Sequence, residues 1–242
     1  MSDTIEIGSI PEELKLDNDW SIGEKAFSFL VEELRSLAVE NLLEFGSGVS
    51  STRLALELPQ VRLLSIESNP TFYRHTVQLL DRYVPGHSVK VELRELCWQR
   101  HGLGLYQSYR PGPFFPRVDA LIIDGPPGWT HRGREVCLYQ AFRSLRIGGR
   151  VYLDDYARPD EQQIVRNWEA TYPGVFRIRV LDFPHSPLCV LEKTTDLPHA
   201  RLAFSVTWDN WKDNIVRKAG RLRNLVGYPT RGVAGSKGKT EE

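Results

Sequence analysis

The chain has 242 residues, 41% hydrophobic and 10% aromatic, enough for a substantial core in one large domain or in one domain with an appendage. Equal numbers of basic and acidic side chains, 31 each, leave a formal net charge of zero, so nothing global points to nucleic acid or to an anionic membrane. No apolar run reaches the ~20 residues of a membrane span, and the first residues lack a basic-then-apolar leader pattern. Cys97, Cys137 and Cys189 lack C-x-x-C spacing, so buried free thiols in a cytoplasmic protein are expected.

In chain order, residues 1–40 read as a helical lead-in. Ala26, Phe27, Phe29, Leu30, Leu34 and Leu37 recur on one helical face, with Ser21 as the expected N-cap and Glu24 completing a capping box. A short apolar strand then ends in Glu44-Phe45-Gly46-Ser47-Gly48, and a helix is expected from Ser51 to Leu58. A strand from Val61 to Ile66 delivers Glu67, and Asn69-Pro70 opens a helix to about Tyr83, proline being favoured at the first helical position. A strand from Val89 to Leu93 precedes Glu95. From Cys97 to Pro116 the periodicity stops, and an aromatic-rich, aperiodic insertion is expected.

A strand from Val118 to Ile123 delivers Asp124-Gly125-Pro126-Pro127-Gly128. A helix is expected from about Gly133 to Leu145, ended by Gly148-Gly149, and the strand from Arg150 to Leu153 delivers Asp154-Asp155. Pro159 opens a helix to about Thr171, and strands Val175–Leu181 and Leu188–Leu191 form an antiparallel pair. Strands alternating with helices predict an α/β, doubly wound, Rossmann-like domain over residues 41–195, with a mostly parallel sheet and helices on both faces. Residues 196–242 read as a basic amphipathic helix around Trp208, Trp211, Lys212 and Arg217, followed by a polar tail. That helix either packs on its own domain or touches an anionic surface or a partner.

Two constellations carry chemistry. Gly46 and Gly48 permit a sharp turn and close approach to a ligand, and the helix behind them aims its N–H groups at it. Glu44, two residues before the first glycine, would repel a pyrophosphate and suits a cationic amino group such as that of S-adenosylmethionine. The other reading is an ordinary strand-to-helix turn whose acid caps an amide. Glu67 stands where a carboxylate reaches a ribose hydroxyl, about twenty residues past the glycine turn. Ser47, Ser50 and Ser68 flank these two acids, and Glu95 either contacts an adenine amino group or is exposed.

Asp124, Asp154 and Asp155 end two strands at the same edge, where the crevice of an open α/β sheet lies. Oxygen-only donors suit a hard ion such as Mg²⁺; the alternative is turn-capping aspartates. His131 is the candidate general base and His185 the second, the other reading being loop histidines; Trp129 and the aromatic insertion, with Tyr106, Tyr109, Phe114 and Phe115, are candidate walls for an acceptor pocket or anchors of their loops.

From Asn41 to Lys193 the chain resembles the class I S-adenosylmethionine-dependent methyltransferases. The resemblance rests on Glu44-Phe45-Gly46-Ser47-Gly48, Ser65-Ile66-Glu67, Ile122-Ile123-Asp124-Gly125 and Gly148-Gly149-Arg150-Val151-Tyr152-Leu153-Asp154-Asp155-Tyr156. The last segment is similar to that of metal-dependent O-methyltransferases of the macrocin and catechol types. This likeness implies a seven-stranded sheet of order 3-2-1-4-5-7-6, S-adenosylmethionine as cofactor, and Mg²⁺ on Asp124, Asp154 and Asp155. It also implies transfer to a hydroxyl of a small molecule or saccharide. One departure is Pro126-Pro127 after Asp124-Gly125, where macrocin-type enzymes carry a further acid. An NAD-binding oxidoreductase and a non-catalytic module that binds S-adenosylmethionine are the alternatives.

Overall fold

The computed structural model describes residues 10–16, 22–102, 104–130, 132–184 and 187–197, together with 206, 208, 210–212, 214 and 215. Helix α1 (Glu24–Ser36) leads into strand β1 (Asn41–Phe45), helix α2 (Val49–Glu57) and strand β2 (Arg62–Glu67). Helix α3 (Pro70–Tyr83), strand β3 (Lys90–Leu93) and the short strands β4 (Leu96–His101) and β5 (Gly104–Tyr109) follow. The second half runs β6 (Val118–Ile123), α4 (Gly133–Ala141), β7 (Leu145–Leu153), α5 (Pro159–Thr171), β8 (Phe176–Leu181) and β9 (Leu188–Lys193).

Seven strands form one sheet in the order β3-β2-β1-β6-β7-β9-β8, while β4 and β5 pair only with each other. With that small hairpin set aside, the order is the expected one. Strands β1, β2, β3, β6 and β7 run parallel, and β9 is antiparallel to both β7 and β8. The central strands are buried on both faces, so every position of β1 and β6 is buried, without an exposed alternate face.

Their alternating side chains sort into two cores. Leu42, Leu63, Ala120, Ile122 and Tyr152 pack against Phe27, Leu30 and Leu34 of α1 and Leu54 of α2. Leu43, Leu64, Leu121, Ile123 and Val151 pack against Cys137 and Leu138 of α4 and Ile164 and Trp168 of α5. The lead-in helix therefore covers one face of the sheet as an integral layer. It begins at Glu24 with Gly23 at the N-cap, so the expected capping box is not formed; Ser21 lies outside the described residues.

Two other expectations change. Helix α4 stops at Ala141, and Gly148-Gly149 lies inside β7, not after a helix. Leu145 already pairs with Val118, and the register shifts before Arg150 meets Ala120. Gly148 takes a φ of 76°, and a Cβ at Gly149 would stand 3.0 Å from the Asp119 carbonyl oxygen, which is why this bulge uses glycines. The insertion after Cys97 is also ordered, as an antiparallel hairpin with Tyr106 and Tyr109 buried. No helix among the described residues is long and apolar enough to cross a membrane. The three cysteines are free, with Cys137 and Cys189 buried and Cys97 half-buried.

Candidate active site

The chain turns sharply where β1 ends. Gly46 has a φ of 101°, and an added Cβ there would lie 2.8 Å from the Gly125 backbone nitrogen. The turns after β1 and β6 thus meet backbone to backbone. Gly48 differs, because a Cβ there would meet nothing within 4 Å. It lines the cavity just ahead of α2, leaving its main chain open to a ligand at the helix N-terminus.

Glu44 does not reach that cavity. By strand alternation it shares the face of Leu42, beneath the first turn of α2. It is 1% exposed and accepts hydrogen bonds from Ser51 Oγ (2.5 Å) and Ser65 Oγ (2.6 Å). Burial pushes its carboxyl up from 4.5 to about 7, against the pull of those hydroxyls. Glu44 therefore braces the turn from below and is not among the residues that line the cavity.

Glu67 does line the cavity. Its Oε1 accepts from the backbone N–H groups of Ser68 (2.6 Å) and Asn69 (2.7 Å). Its Oε2 accepts from Ser47 N (3.0 Å) and Ser47 Oγ (3.3 Å). This carboxylate joins the turn after β1 to the turn after β2 and holds the Ser47 hydroxyl at the cavity wall.

Asp124, Asp154 and Asp155 converge as expected, each offering an oxygen within 4.8 Å of the others. Asp155 holds a left-handed backbone with a φ of 60°, a conformation aspartate tolerates better than most residues. Burial, then the charges of Asp124 and Asp155, push the Asp154 carboxyl up from 3.8 to about 7. Burial likewise raises Asp124, opposed chiefly by Arg134.

Arg134 had no place in the sequence reading. It is the second residue of α4, its side chain 6% exposed, and its guanidinium lies 3.0 Å from Asp155 Oδ2 and 3.4 Å from Asp124 Oδ1. Arg158 Nη1 lies 2.7 Å from the same Asp155 oxygen. A magnesium ion fits the donor chemistry, since all three candidates are carboxylates, but not these surroundings. Two of the three are already paired with a cation, Asp124 with Arg134 and Asp155 with both Arg134 and Arg158. One sequence signal marked Arg134: Arg134, Leu138 and Ala141 share a helical face, and a charge on an inward face needs partners.

The cavity at the carboxyl ends of β1, β2, β6 and β7 has a volume of about 1290 Å³. That exceeds the ~300–1,000 Å³ typical of a pocket for one small ligand, so donor and acceptor have room together. Six carboxylates line it against three guanidiniums, an acidic excess that favours a cationic ligand. Gly46, Ser47, Gly48, Ser50, Glu67, Ser68, Asp124, Asp154 and Asp155 are all brought to it, with Trp129 at 56% exposure. Glu95 is not among the lining residues; its side chain is 80% exposed and pairs with Arg110 at 3.3 Å. His131 and His185 lie outside the described residues. Tyr109, one of the aromatics of the insertion expected to wall a pocket, lines the cavity beside Phe45.

This sheet order is a fold shared with solved O-methyltransferases, two of them holding S-adenosylmethionine or SAH. Among solved structures, the chain is similar to the O-methyltransferase TomG from Streptomyces achromogenes, which is involved in tomaymycin synthesis and was solved with S-adenosylmethionine. That match has a TM-score of 0.56 and 18% identity over 73% of this chain and 82% of the other. The O-methyltransferase from Bacillus cereus in complex with SAH gives a TM-score of 0.56 and 16% identity over 72% and 83%. A putative O-methyltransferase from Klebsiella pneumoniae gives 0.55 and 17% over 72% and 82%. No family model and no curated protein matches the sequence.

Proposed function

We propose that this chain transfers a methyl group from S-adenosylmethionine to a hydroxyl of a small molecule or saccharide. The observation that carries the proposal is the acid-rich cavity at the carboxyl ends of the parallel strands, opened to main chain at Gly48. The residues present suit the cofactor: an unobstructed glycine at a helix N-terminus, the Ser47 hydroxyl, and surplus negative charge for a sulfonium and an ammonium. When bound, S-adenosylmethionine supplies an electrophilic methyl group on positively charged sulfur.

The chain's own work is binding, orientation and exclusion of water. Gly46 to Ser50 and Glu67 hold the donor side of the cavity. Asp124, fixed by Arg134, sits between donor and acceptor sides, where the turns after β1 and β6 touch. Trp129 and Phe72, both exposed at the cavity, offer apolar walls to an acceptor. His131 is the proposed proton acceptor, an imidazole being the side chain suited to take a hydroxyl proton near neutral pH. The oxidoreductase and non-catalytic alternatives gain no support, because the solved structures cited above are O-methyltransferases.

The test is a screen of hydroxylated acceptors, sugars and phenols alike, with labelled methyl donor. Label is expected on an acceptor hydroxyl, with His131→Ala slowing turnover but not weakening S-adenosylhomocysteine binding. Binding without label transfer to any acceptor would point to the non-catalytic module instead.

A further inference from the structure

Arg134 gathers more of the cavity wall than any role in holding the donor requires. Besides Asp124 and Asp155, its guanidinium lies 3.5 Å from Glu161 Oε1, a buried carboxylate on the first turn of α5. Its Nε donates to the Pro126 carbonyl (3.2 Å) and its Nη1 to the Asp154 carbonyl (3.4 Å). One buried side chain therefore ties together the end of β6, the end of β7 and the start of α5. Two of its carboxylate partners belong to the trio that could otherwise hold a metal ion.

A guanidinium and a divalent cation compete for such a place. The guanidinium is permanently charged and offers a rigid fork that suits two carboxylates at once. A divalent ion ligated by Asp124 and Asp155 would stand close against that fixed charge, and like charges repel. Asp155 is the more committed of the two, because Arg134 and Arg158 both reach its Oδ2.

We propose that Arg134 is the resident cation of this carboxylate cluster, setting Asp124 and Asp155 in place so that the site works without a divalent metal. The proposal rests on the methyltransferase reading above. It makes Arg134 a positioning residue, acting through the two aspartates and not through contact with the reacting atoms.

The experiment is a calorimetric titration of the chelator-treated full chain, first with S-adenosylhomocysteine and then, at saturation, with MgCl₂. Thermal midpoints of wild type and Arg134→Gln are measured with and without the salt. The expected result is S-adenosylhomocysteine binding that chelator leaves unchanged, no saturable Mg²⁺ uptake by wild type up to about 10 mM, and a wild-type midpoint indifferent to MgCl₂. Arg134→Gln is expected to have a lowered midpoint that MgCl₂ partly restores, a response that loss of packing alone would not produce.

Stoichiometric Mg²⁺ uptake by wild type, or a tenfold loss of S-adenosylhomocysteine affinity on chelation, would overturn the proposal. So would a folded Arg134→Gln protein indifferent to Mg²⁺. If that variant does not fold, the wild-type titration decides alone. A chain that binds no S-adenosylhomocysteine in the first stage contradicts the methyltransferase reading instead, so the two failures are distinguishable.

Discussion

Gly46 and Gly48 sit two residues apart in one turn, yet they answer to different constraints. Gly46 is held at a φ of 101° with Gly125 against it, so Gly46→Ala is expected to destabilise the fold by on the order of 2 kcal/mol or more. Gly48 is extended and open, so Gly48→Ala should leave stability within about 0.5 kcal/mol while weakening S-adenosylhomocysteine binding by about tenfold or more. Urea midpoints and calorimetry on the two variants separate these outcomes; equal effects of both substitutions on stability would contradict the assignment. Glu44 makes a second prediction at this scale. Its folded carboxyl is raised from 4.5 to about 7, so the folded chain holds this proton more tightly than the unfolded one. The resulting stabilisation is complete below the unfolded value and is lost as pH rises toward and through about 7, by roughly 3 kcal/mol. In Glu44→Gln that loss is absent, so the variant should gain on wild type between about pH 4.5 and about pH 8. A stability difference independent of pH would contradict it.

The hairpin of β4 and β5 is fastened to the domain by a buried carboxylate. Glu135 of α4 accepts from Tyr106 Oη (2.8 Å), Tyr139 Oη (2.7 Å) and Asn167 Nδ2 (2.8 Å), linking the hairpin to α5. Glu135→Ala would leave three buried donors unanswered, at a cost on the order of 3 kcal/mol or more. Backbone exchange over residues 96–109 should accelerate beyond that of the central sheet; uniform acceleration would mean the hairpin is not separately anchored. This element was invisible in the sequence for a physical reason. Its inward residues, Tyr106 and Ser108, answer partners on α4 that lie 29 and 25 residues away, so no local period marks them. Gly148-Gly149 misled for a related reason, since a glycine pair ends a helix as readily as it makes a bulge, and part of what crowds Gly149, the Asp119 carbonyl, comes from the neighbouring strand. The parallel strands and α3 were legible because their signals are local: apolar runs ending in an acid, and Asn69-Pro70 at a helix start.

At the scale of the molecule, the sheet order brings the turns after β1, β2, β6 and β7 to one edge, and the acids singled out in the sequence mostly meet there. Strand-end position sufficed to find Glu67, Asp124, Asp154 and Asp155, because every parallel strand delivers its last residue to the same side. It could not show that Glu44 points beneath α2, since β1 is buried on both faces and has no solvent side to mark which way its acid points. Nor could it reveal Arg134, whose partners come from three separate segments. Binding of a positively charged methyl donor in this acid-rich cavity is tested most directly by calorimetric titration of the full chain with S-adenosylmethionine, at low and at raised salt, and in parallel with NAD. One saturable site for S-adenosylmethionine is expected, weakened by salt as screening reduces the attraction, and no binding of NAD. Binding of NAD in its place, or no heat with either ligand, would contradict it.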